Sequence, residues 1–480
     1  MKASKSFLLG VSLVGSACVG SLQDIRMGKA QELTPERWFA TTEGRAGVDH
    51  QWVERFGDKR LEALIGEALE NNYDLKLAGL RVQQAEFTAK RAMSDLSPIL
   101  NGGLDSSRRR QNFIGFPEFG GAGTQAPGEV LVNRNNSFGA SLDLSWELDI
   151  WGRVRAGALG DTADAQAEGQ ELRAARSSLV AQVSKAWFAL IEANQQVENA
   201  ERSLQLTKET EQIIRDRFEM GQVDDQGTGT ELRLAMSDSE TQRARLNQLQ
   251  RVKEDSLRQL EILLGRYPQG ALGAGNRLPS APAMPPAGLP SGLLLRRPDI
   301  LAAERRYVGT KFRLTEAKRA FFPQFSLTGS AGTSTEDLDE ILNSDFGIWS
   351  LAGNLTQPLF VGGRLTTEKR LRELADETAA VELQQTVLEA FREVETALAV
   401  ERFLARQEEA LYSALQLAEE ASVESRRDYV EGVGDILTLL NAQGLVLSAS
   451  SDWITVRRER LENRIDLHLA LGGDYQAKKL

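Results

Sequence analysis

Residues 137–149, SFGASLDLSWELD, alternate without a break between polar and apolar side chains. Phe138, Ala140, Leu142, Leu144, Trp146 and Leu148 hold the even positions, and Ser137, Gly139, Ser141, Asp143, Ser145, Glu147 and Asp149 the odd ones. Successive strand side chains point to opposite faces, so this is a strand with one apolar face and one face carrying carboxylates. Soluble sandwich strands rarely keep such alternation for so long. A strand that crosses a bilayer needs about 9–11 residues, apolar toward lipid and polar toward a lumen.

The stretch ends at Gly152-Arg153, and Gly363-Arg364 repeats that pair 211 positions later. The same offset relates Phe218, Gly221 and Asp224 to Tyr429, Gly432 and Asp435. A second offset, 225, relates Asp74 to Asp299, Ala92 to Ala317 and Pro98 to Pro323. The chain therefore reads as mixed α and β and internally duplicated, each copy running helix, strand, loop, strand, long helix, turn, helix. The first copy is expected over 51–265, with strands near 99–107 and 137–149 and helices over 152–220 and 231–264. The second is expected over 293–473, with strands near 324–332 and 349–360 and helices over 364–430 and 436–471. The loop 111–136 and the turn 221–229 are rich in glycine. Residues 266–292 carry the prolines of a linker, and 474–480 are a tail.

No proline interrupts 152–220. Leu172, Leu179, Ala186, Ala193 and Ala200 recur every seven residues, and Val183, Leu190, Val197 and Leu204 form a second row. A sustained seven-residue period keeps a seam on one side of supercoiled helices. Nearly seventy residues at 1.5 Å each would reach roughly 100 Å, beyond any compact domain. Small residues in one row favour lateral neighbours over a free rod.

Net charge is −11 with Lys and Arg dispersed, which disfavours nucleic acid, since phosphate neutralisation needs clustered cations. Lys2 and Lys5 precede an apolar run, 7–14, and Gly15-Ser16-Ala17-Cys18. This is an export signal over 1–17, too short to span as a mature helix. Cys18, the only cysteine, stands where a bacterial lipoprotein signal is cleaved and lipidated, with 18–50 as a tether. Gly15 replaces the leucine usual there. A plain cleaved signal is the other reading, in which the lone thiol is incidental. No later stretch has 18 consecutive apolar residues, so any crossing of a membrane must use strands.

LPSGLLLRRPDILAAERR (289–306), AFFPQFSLTGSAG (320–332), QPLFVGGR (357–364) and YVEGVGDILTLLNAQ (429–443) resemble the signature segments of the TolC-like outer membrane factors. The similarity is to the efflux outer-membrane lipoproteins, the NodT group, and covers essentially the whole mature chain. It implies a homotrimer in which four strands per chain build one twelve-stranded transmembrane β-barrel, continued by a periplasmic α-helical coiled-coil barrel closed at its tip. Four strands cannot close alone, and open sheet edges are not tolerated in hydrocarbon. The implied partners are outer-membrane lipid, a periplasmic adaptor and an inner-membrane transporter. The implied place is the outer membrane of a Gram-negative bacterium.

The resemblance also implies a periplasmic gate near the second helix turn, at Leu437, Asn441 and Asp435. The family has aspartate at the position of Asn441. Three ring carboxylates would repel one another and bind cations, whereas three amides do neither, so Asn441 gives no acidic cation-binding ring unless Asp435, Asp224 or Asp225 supplies it from nearby. As an alternative, Asn441 is an ordinary surface amide. The turns with Gly221, Asp224, Gly432, Val433 and Gly434 resemble adaptor-docking tips, although tight helix–helix turns need glycine anyway. Trp146, Trp151, Trp349 and Phe360 suit an aromatic girdle at the bilayer interface, or fillers between barrel and helices.

Enzyme readings lack support. His50 and His468 are the only histidines, GSAG at 329–332 lacks the spacing of a nucleophile elbow, and no phosphate-binding loop occurs. Neither a metal nor a cofactor is expected. The reading is a passive exit duct for small molecules. A duct for secreted proteins and a structural periplasmic coiled-coil lipoprotein without a pore are the alternatives, the last disfavoured by the alternating strands.

Overall fold

The computed structural model describes residues 34–40, 51–113, 131–219, 225–273, 275, 277–285, 287–288 and 290–473. The principal helices are α1 (Lys59–Asn71), α2 (Tyr73–Ser94), α3 (Arg153–Glu219), α4 (Asp225–Leu263), α5 (Pro298–Arg319), α6 (Arg364–Glu431) and α7 (Ile436–Ala470). The strands are β1 (Ile99–Phe113), β2 (Leu131–Leu148), β3 (Gln324–Thr335) and β4 (Gly347–Thr356). Cys18, Gly221 and Asp224 lie outside the described residues. Among those residues no helix is long and apolar enough to cross a membrane.

The chain forms two compact units, one drawn from 1–83, 166–305 and 381–480 and the other from 84–165 and 306–380. The first is helical. Its core sets Trp52, Val53 and Phe56 with Leu61 and Ile65 of α1 against Trp187, Phe188 and Leu190 of α3, Leu260 of α4, and Leu461 and Ile465 of α7. Asp58 caps α1 by accepting from the Arg60 and Leu61 amides at 2.9 and 3.1 Å. Its other oxygen accepts from Trp187 Nε1 at 2.7 Å, which fixes the start of α1 on α3. Trp52 lies flat on His468, ring centroids 5.3 Å apart. Residues 34–40 are anchored on this unit. Trp38 is buried against Phe391 and donates to the Gly288 carbonyl at 3.1 Å, and Glu395 accepts from the Phe39 and Ala40 amides at 2.7 and 2.9 Å.

One buried charge group braces α6 to α7. Glu401 accepts from Arg460 Nε at 2.9 Å and from Arg464 Nη2 at 2.7 Å, with Arg464 only 1 % exposed. Burial pushes the Arg464 guanidinium down from its ordinary value, and Glu401 opposes that shift.

The second unit holds a four-stranded antiparallel sheet in the order β1-β2-β3-β4. Leu100, Leu144, Gly329 and Leu351 share one cross-strand row, and Gly102, Leu142, Ala331 and Trp349 the next but one. One face is therefore apolar. Asn101, Asp143, Ser330 and Ser350 fall on the other. β2 hands over to α3 at Gly152, whose φ of 72° is a left-handed conformation that suits glycine. The Asp149 carboxylate then accepts from the Val154 and Arg155 amides at 3.0 and 2.8 Å. Gly363, at the equivalent place before α6, has φ 81°. Beneath the sheet, Arg313 of α5 bridges Asp161 at 2.9 Å and also Asp164, both on α3, while Lys311 reaches Asp376 of α6 at 3.3 Å.

Element bounds differ from the sequence expectation at several strand ends and at one helix start. β1 runs to Phe113 rather than 107, and β2 begins at Leu131 rather than 137, because Arg108–Gln111 pair with polar residues of β2 and carry no alternation to read. β4 ends at Thr356 rather than 360. Pro358 has no amide to give a ladder, and Gln357 Nε2 turns to the Phe321 carbonyl at 3.0 Å. Helix α4 starts at Asp225, inside the glycine-rich stretch expected as a turn, since one or two glycines in a first turn cost only about 1 kcal/mol each.

Removing the carboxylate from the buried charge group strands the Arg464 guanidinium, while Arg460 keeps Glu408 at 2.8 Å. Glu401→Ala is expected to cost about 3–5 kcal/mol, read by denaturant unfolding followed through tryptophan emission. Glu401→Leu combined with Arg460→Leu and Arg464→Met is expected to recover most of that loss.

Candidate functional site: the helical tip and the apolar sheet

Helices α3, α4 and α6 bring Arg217, Glu231 and Tyr429 together beside the α6–α7 turn. Arg217, in the last turn of α3, donates through Nη2 to the carbonyls of Tyr429 and Val430 at 2.9 and 2.7 Å. These carbonyls close α6, that of Tyr429 also accepting from the Gly432 amide at 3.1 Å, and a cation there adds hydrogen bonds and complements the helix dipole. The guanidinium also lies 4.8 Å from the Tyr429 ring centroid. The Tyr429 hydroxyl donates to Glu231 of α4 at 3.2 Å. Burial and then the Glu231 carboxylate push the Tyr429 phenol up to about 12. Ile214, Ala235, Tyr429, Ile436 and Leu439 pack as a small apolar cluster beneath these contacts. Further along, Arg426 pairs with Glu209 at 2.9 Å and Gln443 donates to Thr210 at 3.0 Å. One helical hairpin is thus latched to the other.

The turn itself is closed by its backbone. The Val433 and Gly434 amides both donate to the Asp428 carbonyl at 3.0 Å, with Gly432 at φ 81°. Asp435 caps α7 by accepting from the Thr438 amide at 3.0 Å and its hydroxyl at 2.5 Å. Those hydrogen bonds hold its carboxyl below the usual carboxylate range. Leu437 and Asn441 stand one turn apart on α7 and are exposed, on the side away from buried Ile436 and Leu439. Val433 is 78 % exposed at the turn.

The sequence-derived aromatic set separates into three positions. Trp146 donates to the Leu96 carbonyl at 2.9 Å, and Trp151 donates to the Pro323 carbonyl at 2.8 Å and packs on Phe322 at 5.3 Å. Both sit where strands meet helices. Trp349 is 80 % exposed on the apolar face, four residues along β4 from the row that contains Trp146. Phe360 is exposed beyond the end of β4. Around Trp349 the apolar face is bare: Leu100, Leu104, Leu142, Leu351 and Leu355 are each more than half exposed. So large an exposed apolar surface marks an interaction with another chain or with lipid.

The latch residues Arg217, Glu231 and Tyr429 are absent from the sequence-derived set. The repeat held one signal for them. Tyr429 occupies the place of Phe218 in the other copy, and a hydroxyl added to an otherwise equivalent aromatic asks for a partner.

The Outer membrane efflux protein family model matches residues 64–266 and 289–473. Outer membrane protein OprJ of Pseudomonas aeruginosa is 31% identical over 450 residues, covering 91% of this chain and 88% of its own. The toluene efflux pump outer membrane protein TtgF of Pseudomonas putida is 28% identical over 424 residues, covering 88% and 85%. The crystal structure of the Campylobacter jejuni CmeC outer membrane channel superposes with a TM-score of 0.82 at 25% identity, covering 92% of this chain and 91% of that one.

The latch has a pH signature. Its phenol is neutral below about pH 10 and donates to Glu231; ionisation would set phenolate against carboxylate. Because the folded pKa lies above the unfolded one, the stabilisation is complete below about pH 10 and is lost as pH rises toward 12. Tyr429→Phe is expected to abolish this high-pH dependence, and Arg217→Ala to speed amide exchange at the α6–α7 turn by about tenfold, measured by hydrogen–deuterium exchange.

Proposed function

The chain belongs to the outer membrane efflux protein family, and from that premise we propose that three copies form the exit duct of a tripartite pump. The outer-membrane location and the efflux role follow from the family, whose members are channel proteins. The trimer, the shared twelve-stranded barrel and the individual sites are the reading offered here. One observation carries it: a four-stranded sheet with one apolar face whose outer strands, β1 and β4, have no further strand beside them among the described residues. In hydrocarbon every backbone amide and carbonyl must be paired, so such a sheet is stable only when its two edges meet edges of other copies. The polar face, with Asp105, Asp143 and Glu147, then lines a wet lumen.

In this assembly the long helices line a periplasmic tunnel. The latch of Arg217, Tyr429 and Glu231 holds the closed tip, and exposed Leu437 and Asn441 face their counterparts in the other copies. The turns around Gly221, Asp224, Gly432, Val433 and Gly434 receive the periplasmic adaptor, which couples the duct to an inner-membrane transporter. Cys18 carries the lipid, and the hold on Trp38 fixes where its tether joins the helical body. Toluene, named for the relative TtgF, supports small-molecule cargo over secreted protein.

Single-channel recording in planar bilayers tests both the pore and its tip. The purified protein is expected to give small, mostly closed events, and Arg217→Ala with Tyr429→Phe to raise open conductance several-fold. Asn441→Asp is expected to make conductance fall on adding millimolar divalent cation, since three carboxylates would then share a ring. Absence of any conductance from inserted protein contradicts the duct; indifference of Asn441→Asp to cations removes position 441 from the gate.

A further inference from the structure

The apolar face of the sheet ends in arginines. In the β1–β2 register Ser106 lies opposite Phe138, Arg108 opposite Asn136 and Arg110 opposite Arg134. Alternate residues share a face, so Arg108, Arg110 and Arg134 stand on the side of Leu100, Leu104, Phe138 and Leu142, while Arg109 stands on the polar side. All three are exposed, and none pairs with an acidic residue among the described residues. Arg110 and Arg134 face each other directly, and like charges so placed destabilise a strand pair unless an anion sits between them.

Their height is that of a headgroup. From Leu148 to Phe138 the strand rises about 34 Å, which at a tilt near 40° is about 26 Å, the height of a barrel's apolar band. Asn136 and Arg134 then lie about 5 and 10 Å beyond it. Helices join β1 and β2 at Ile99 and Leu148, the opposite end of the strands. If the helices are periplasmic, the arginines are at the outer leaflet.

Resting on the outer-membrane reading above, we propose that Arg108, Arg110 and Arg134 bind the phosphate groups of an anionic lipid of the outer leaflet, whose acyl chains lie on Leu104, Phe138 and Leu142. Guanidinium groups match phosphate oxygens through paired donors, and a cluster of cations beside a membrane draws anionic lipid. The competing occupant is the acidic stretch of a neighbouring copy, Glu336, Asp337, Asp339, Glu340 and Asp345.

The test uses the full-length protein in phosphatidylcholine nanodiscs doped with a bisphosphorylated glycolipid, lipid A, or its dephosphorylated form, with retained glycolipid counted by native mass spectrometry. A cationic side chain near a membrane surface contributes about fivefold, so R108Q/R110Q/R134Q is expected to retain lipid A at least about tenfold less well than wild type. R109Q should match wild type, the dephosphorylated lipid should bind both proteins alike, and millimolar inorganic phosphate should not displace lipid A. Should the triple variant fail to insert, R134Q alone is expected to lose about threefold to fivefold. Equal retention by wild type and variant overturns the assignment. Displacement by inorganic phosphate overturns it in favour of a simple anion site. Loss of heat-resistant oligomer with lipid retention unchanged overturns it in favour of the neighbour's acidic stretch. Insertion is scored separately by conductance in pure phosphatidylcholine: a wild type that does not insert sinks the outer-membrane reading itself, whereas an inserted protein indifferent to phosphate sinks only the lipid site.

Discussion

A strand edge in hydrocarbon has no water to satisfy its amides and carbonyls, and each orphaned group there costs several kcal/mol. This one constraint organises the protein. The sheet is apolar on one face, with Leu100, Leu142, Trp349 and Leu351 left bare, and among the described residues it stops at β1 on one side and β4 on the other. In water such a sheet would aggregate; in a bilayer, on the proposal above, other copies complete it. The family shows that efflux across the outer membrane is the use made of it.

The helical unit answers a different demand. Long helices with dispersed charge gain little from any one contact, so their hold on one another depends on a few well-connected groups. Glu401 joins Arg460 to Arg464 inside the bundle, and Asp58 ties a helix cap to Trp187. At the turn, Arg217 is spent on two helix-end carbonyls and an aromatic ring. The tip contacts lie near the surface and use polar groups that water could replace. The core of Trp52, Phe188 and Ile465 has no such substitute.

Much of this was legible in the sequence, and the reason is periodicity. Alternation in 137–149 exposed β2, the seven-residue rows exposed α3, and the 211-residue offset located Gly152 and Gly363. What lacked a period stayed hidden. Arg108–Asn112 extend β1 through pairing with β2 alone. Pro358 cut β4 short of the last apolar residues, which leaves Phe360 outside the sheet. The latch of Arg217, Tyr429 and Glu231 joins residues some two hundred positions apart and leaves only the Phe218-to-Tyr429 exchange as a trace. Trp38 is likewise held by Gly288 and Phe391, a docking that no local pattern in the N-terminal segment announces.

The proposed shared barrel requires contact between β1 of one copy and β4 of the next, and cysteine cross-linking reads that contact directly. Single cysteines would be placed along β1 from Leu100 to Ser106 and along β4 from Ile348 to Asn354, combined pairwise, and oxidised in isolated outer membranes. The account predicts that pairs in one register alone give covalent dimers and trimers and nothing larger on non-reducing gels. Monomers in every combination, or ladders that continue past three, would contradict it.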